Sequence, residues 1–431
     1  MADQTWQRTA RIMRRAAWGV TGAAVDAANK DVAAWVDDAL TATDDPGVTA
    51  TPLPTFAALP EVNASSTREQ RKARGEAIRQ QGEQLMTWWL TRMLRAQRPV
   101  RERLTFGWHQ HWATSMTKVR NAPLMLRQNE LLRTYGLGSV TDLATKMVMD
   151  PALMIYLDAE QNTKAAPNEN LARELMELFL LGVGGGYTET DVKQSARALS
   201  GWRVANDGTV TRDPKRTDPG PETVLGVSVS DPTSLVAAIL AAPGHPRHVA
   251  TRWWRHLASS EAPSAEVLDR LMAAYGSGRS AKALFRAILL DPAFATASGS
   301  IVTSPVEWLV GAMRTLTVPV TPDAVKQVAG VLRNLGQVPL YPPNVSGWPS
   351  GASWVSTAAA HTRVAAAIRI SKAADLSVVA NAPSSSRIDA VAHLLALDHF
   401  TDRTRSALAL AKGDPAQLVA TALISPDYLV V

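Results

Sequence analysis

Two polar islands in an otherwise apolar chain carry the residue types that chemistry needs. The first is Trp108-His109-Gln110-His111-Trp112. Imidazoles serve as general bases, nucleophile partners or metal ligands. On a helix each residue advances about 100°, so Leu104, Trp108 and Trp112 form one apolar stripe, with His109 and His111 on opposite sides of it. Two helical histidines at this spacing cannot jointly hold one ion; Gly107 leaves room for a local irregularity that would change this. The plain alternative is that both rings satisfy buried polar groups beside the tryptophans. The second island runs from Pro167-Asn168-Glu169-Asn170 to Glu177. Asn168 suits a helix cap. Glu169, Arg173 and Glu177 share a face, with Glu174 beside them and Asp158 upstream. This set could supply an acid and a base oriented by Arg173, or metal ligands; it could equally be a surface ladder worth about 0.2–0.5 kcal/mol per pair.

Two glycine-containing stretches accompany them. Gly182 suits a helix C-cap, and the glycines at 184–186 form a connector ahead of a helix start at Thr188 or Thr190. The spacing is not that of a nucleotide-binding fingerprint. In Gly347-Trp348-Pro349-Ser350, Trp348 could flank a cleft or pin the loop to the body. There is no Gly-x-Ser-x-Gly elbow and no His-Glu-x-x-His pair.

The elements that must position these residues read as helices almost throughout. Periodicity predicts helices at 5–17, 27–42, 67–97, 100–114, 122–135, 139–149, 168–181 and 188–201. They resume at 231–242, 246–258, 264–276, 280–290, 304–316 and 322–335, and continue through an alanine-rich tail at 355–430. Residues 43–65 read as a loop or wrapping segment. Residues 204–230 break the pattern, with one short hairpin at most near 223–229. The expected fold is all-α: one large irregular helical body, divided as 1–203 with the site, a connector at 204–230, and 231–431 packed on the first part.

Composition bounds the rest. The chain has 431 residues and no cysteine, which excludes disulfides, iron–sulfur clusters and thiol nucleophiles. A net charge of +6 is mild over this length, and no basic block interleaves with aromatics, so nucleic acid is not an expected partner. No apolar run is long enough to span a membrane. No signal peptide is visible, so a cytoplasmic location is the default, and export follows only if a leader has been removed. A helical core explains most of the thirteen tryptophans, but a few, Trp112 and Trp348 among them, could line a sugar-binding or similar site.

Taken together, these stretches resemble a large bacterial family, domain of unknown function 1800. The resemblance is carried by Arg14-Arg15-Ala16-Ala17-Trp18-Gly19, Arg103-Leu104-Thr105, Trp108 to Ser115, Asp150-Pro151-Ala152-Leu153, Pro167 to Glu177, Gly185-Gly186-Tyr187-Thr188, Gly201-Trp202 and Gly347-Trp348-Pro349. It implies a helical body, a partner from a phosphatase- or sulfatase-like family, and polar extracellular or envelope substrates. Three positions depart from the family's pattern: Phe179 where a histidine is expected, Thr217-Asp218 where a His-Asp pair is expected, and Gln194 where glutamate is expected. The leading expectation is an enzyme for hydrolysis or group transfer on a polar, saccharide-like substrate. In it Glu169 or Glu174 is the acid/base, His109 its partner or a metal ligand, and Arg173 an orienting group. His111, Asp158, Glu177, Trp112 and Trp348 would bind substrate; the sequence leaves any cofactor or metal unknown. The departures favour the alternative, a non-catalytic partner or scaffold subunit of a hydrolase-like protein.

Overall fold

Short-range capping explains where the helices start. In the computed structural model, which describes residues 4–297 and 301–430, helix α1 (Gln4–Ala16) leads into the body. The long helix α2 (Arg68–Arg95) opens on a capping box, Thr67 with Gln70. It stops ahead of Pro99, and α3 (Val100–His111) begins directly after that proline. The 43–65 segment wraps α2 as expected. Its carbonyls are held by Gln81, Gln84 and Arg74, and within it Asp45 caps the single turn Pro46–Thr49.

Among the described residues the apolar side chains form two clusters. One draws on Ile12, Leu104, Trp108, Trp112, Leu175, Phe179, Trp253 and Phe285. The other draws on Leu85, Trp89, Phe106, Trp308, Leu332, Trp348 and Leu418. Helix α3 is the seam: its Leu104–Trp108–Trp112 stripe faces the first cluster, while Phe106 faces the second. This accounts for its near-total burial, which includes Glu102, Arg103 and both histidines.

The all-α reading holds, with local differences. The 27–42 stretch is two helices, Gly22–Ala28 and Val32–Thr41, because Asp31 caps the second through Ala34 N. Residues 202–229 hold two antiparallel hairpins where one was expected: β1 (Trp202–Val204) with β2 (Val210–Arg212), and β3 (Glu222–Val224) with β4 (Val227–Val229). The second closes on Leu225-Gly226, both at positive φ, the geometry of a tight two-residue turn. Leucine seldom takes that conformation, so the turn had no signature in the sequence.

The 168–181 stretch differs most. Helix α4 (Asn170–Glu174) is α-helical, but Leu175–Leu180 continues it as a π-helix. Asn168 Oδ1 accepts from Asn170 N, a turn just ahead of the helix. Gly182 ends the segment as expected, at φ +82°, with its N–H donating to Met176 O.

Candidate functional site

The π-helix ends in carbonyls that point at imidazoles. The last carbonyls of any helix lack internal partners. Here Leu178 O accepts from His248 Nε2 at 3.0 Å, Phe179 O from His111 Nε2 at 2.8 Å, and Leu180 O from His245 Nδ1 at 2.9 Å. A carbonyl can only accept, so each of these ring nitrogens carries the hydrogen. His245 is completed by Tyr275, whose hydroxyl lies 2.8 Å from its Nε2. His111 and His248 are left with a proton-free Nδ1. That of His111 is buried and has no hydrogen-bond partner.

His245 and His248 come from helix α5 (Gly244–Leu257). His245, His248, Arg252 and His256 follow at intervals of three, four and four, which puts them on one face. This spacing was a readable signal that the sequence analysis did not use. Buried Arg15 of α1 fixes the far end of α5, donating to His256 O at 2.6 Å and Leu257 O at 2.8 Å. Helix α3 crosses closely enough that a Cβ on Gly107 would lie 2.8 Å from the Trp253 ring and 3.0 Å from His256 Nε2. Gly107 therefore provides space for α5; the helix passes through it without irregularity.

These elements enclose a cavity of about 1340 Å³. Gly107, Gln110 and His111 of α3 form one wall, and Glu177 with the 181–186 glycine loop forms another. Arg247, His248, Arg252, Arg255 and His256 of α5 line a third, and Ser346, Trp348 and Ser350 close it. The β3–β4 turn sits at its edge and is tied to Asp191, which accepts from Leu225 N at 2.7 Å. Burial depresses every histidine here. His248 is brought to about 4 and His256 to about 3, and His111 is well below the usual value, in each case first by burial and then by charges that include Arg252. A helix C-terminus ordinarily favours a protonated ring by up to about 2 kcal/mol; burial outweighs it, and the rings are neutral bases near pH 7.

Of the residues singled out from sequence, His111, Glu177 and Trp348 line the cavity. His109 does not. It leaves α3 on the opposite side, packs edge-on against Trp89 and Trp348, and accepts from Leu340 N at 3.2 Å. Its role is to satisfy a buried backbone group, and burial lowers it to about 3. The structure therefore does not bring His109 and Glu169 to one concavity. Trp112 is core, packed on Phe179 at 4.5 Å. Trp348 stacks on Phe106 and is 4% exposed, so its face is not free to stack on a sugar. Asp158 pairs with Lys118 at 2.6 Å outside the cavity. Phe179 is buried, and Gln194 and Asp218 engage Arg197, so none of the three departures lines the cavity. Among the described residues, no three His, Asp or Glu side chains are grouped as a metal's ligands would be.

The carboxylate ladder exists as expected and gains a member from the next helix. Arg173 pairs with Glu169 at 2.9 Å, Glu177 at 3.1 Å and Glu189 at 2.8 Å. Glu174 stands beside it, its carboxyl raised by burial and then by Glu177, with Arg173 opposing. The ladder is about one-third exposed at Arg173, so water screens it. Arg173→Ala should cost under about 1 kcal/mol, readable as a nearly unchanged unfolding midpoint. A loss of several kcal/mol would show that the ladder holds the site's wall in place.

A family described as a protein of unknown function, DUF1800, matches residues 11–430. The chain belongs to this family. No curated protein and no solved structure matches it. Both polar islands and all of α5 fall within the matched span, so the cavity of this DUF1800 protein is built wholly from the family's own domain.

Proposed function

We propose that this DUF1800 protein is an enzyme whose cavity binds a polar substrate for hydrolysis or group transfer. The observation supporting this most is the pair of carbonyl-anchored imidazoles, His111 and His248, each with a proton-free Nδ1, in the wall of the cavity that Arg252 also lines. A base held by a second group is the usual arrangement for proton transfer. His248 is the less buried ring and acts as the base. Its Nδ1 takes the proton of an attacking water or hydroxyl and returns it to the leaving group. Glu177 supplies negative charge that offsets the imidazolium, and Arg173, with Glu169, positions Glu177. Glu174 and His109 do not line the cavity and are assigned no chemical step.

The test is a panel of chromogenic phosphate, sulfate, glycosyl and acyl esters, assayed with wild-type protein and His248→Gln. General bases contribute 10²-fold or more, so turnover should fall about a hundredfold with little change in KM. Undiminished turnover in the variant would remove His248 from the chemistry.

A second reading, a non-catalytic partner of a phosphatase- or sulfatase-like protein, is favoured by the outer face of the Thr357–Ala373 helix. Val364 and Ile368, one turn apart there, are 39% and 44% exposed, and could form the centre of a contact surface if neighbouring apolar area joins them. Absence of turnover across the panel, with a stable complex formed on co-expression, would favour it.

A further inference from the structure

We infer that the ligand of this cavity is a phosphate or phosphate ester, gripped by Arg252 beside His111 and His248. This rests on reading the cavity as the substrate site and goes further by naming the substrate class.

Arg252 is the starting point. It lines the cavity, partly buried, and has no ion pair or hydrogen bond to any described residue. Burial holds the guanidinium below its usual value, and no charge offsets it. The carboxylates that line the same cavity are already engaged: Glu177 with Arg173, and Asp191 with Thr188 and Leu225 N. A desolvated, uncompensated cation is costly to the fold, and an anionic ligand is the natural counter-charge. Arginine's planar fork matches phosphate oxygens in pairs. Helical side chains lean toward the N-terminus, so Arg252 reaches back along α5. The α5 N-terminus also faces the cavity, with Gly244 and Arg247 in its wall, and Pro243 offers it no side-chain cap. His245 N–H is already bonded to Ala242 O, and Pro243 and Pro246 have no N–H, so what the helix adds here is the positive end of its dipole.

The histidines narrow the anion. Their Nε2 hydrogens are committed to Phe179 O and Leu178 O, so their Nδ1 atoms present lone pairs. The His111 lone pair is buried and unpartnered. A ligand made only of acceptor oxygens would set its lone pairs against theirs. Phosphate can offer both kinds of group: a charged oxygen for Arg252 and a proton for an imidazole. Its second ionisation, near pH 6 in esters, keeps that proton available close to neutrality. Sulfate and carboxylate are fully ionised there and have no such proton.

Calorimetric titration of the full chain at pH 7 and fixed ionic strength tests this with sodium phosphate and sodium sulfate as probes. Phosphate should bind saturably at one site and sulfate at least about tenfold more weakly. Arg252→Gln should weaken phosphate by about tenfold or more, the scale of one lost charge-assisted hydrogen bond, while unfolding no earlier than wild type because it removes an uncompensated cation. Equal binding of sulfate, no binding of phosphate, or a folded Arg252→Gln protein that binds phosphate as wild type does would each overturn the inference. If the variant did not fold, the phosphate–sulfate contrast in wild-type protein would decide alone. Phosphate binding with no turnover of any ester would uphold this ligand class and remove the enzymatic reading. Turnover of a neutral ester by protein that ignores phosphate would do the reverse.

Discussion

Acidification from pH 7 to about 5 should unfold this protein. His109, His111 and His245 are 1%, 3% and 0% exposed. His109 and His245 are brought to about 3 and about 4, and His111 falls well below its usual value, in each case chiefly by burial. In the unfolded chain they titrate near 6.5. Below that pH the unfolded state binds protons that the folded state refuses, so stability is full above about 6.5 and is lost as pH falls toward the folded values. Each ring costs up to about 1.4 kcal/mol per pH unit in that window, so the three together cost about 4 kcal/mol per pH unit. His248 and His256 add a smaller, solvent-screened share. Asp150 works the other way: burial raises its carboxyl to about 6, so its protonation favours the folded state between about 6 and 4 and cancels roughly one histidine. The net loss by pH 5, about 4–5 kcal/mol, approaches the lower end of a typical total stability of about 5–15 kcal/mol. Glu102 and Glu307, held at about 2, lose their contribution only as pH falls below the ordinary glutamate value of about 4.3, so they do not set this transition. Far-UV circular dichroism against pH reads the outcome. A protein still folded at pH 4 would mean that the rings gain protons, or water, without leaving their sites.

Glu102→Ala should be the most damaging single truncation at the seam between the two apolar clusters. Glu102 is 1% exposed. Its Oε1 accepts from Arg92 Nε and Arg133 Nε, both at 2.7 Å, and its Oε2 from Arg133 Nη2 at 2.8 Å and Trp89 Nε1 at 3.2 Å. Burial pushes this carboxyl up, but the guanidinium groups of Arg133 and Arg92 override it and hold it at about 2. Truncation leaves two guanidinium groups in the interior with too little opposing charge, a loss of about 3–5 kcal/mol. At about 2.1 cal/mol/K per residue, that is a fall in Tm of roughly 3–6 °C. Glu130→Ala removes a partner of the same Arg133, but Glu130 is 32% exposed, so its loss should stay under about 1 kcal/mol. Equal effects of the two substitutions would show that the Glu102 cluster gains little from its burial.

The sequence by itself determined the helices and most of their ends. The Thr67–Gln70 box, Pro99 ahead of α3, Thr188 with Asp191, and Gly182 after the π-helix are all written within about four residues of the ends they fix. The Glu169–Arg173–Glu177 ladder was legible for the same reason, and so was the family, whose short motifs recur in order along the chain. What lines the cavity was decided by tertiary structure. His111, His245 and His248 meet carbonyls 65 to 70 residues away, and helical periodicity says which residues share a face without saying what that face will meet. Periodicity also could not distinguish His109 from His111: both leave α3 beside a tryptophan, yet one satisfies Leu340 N and the other reaches the cavity. The π-turn is invisible in a leucine-rich run, because it depends on carbonyls finding donors outside the helix. Arg252 reads in sequence as one more surface cation; only packing shows that it sits in the cavity wall with no carboxylate beside it.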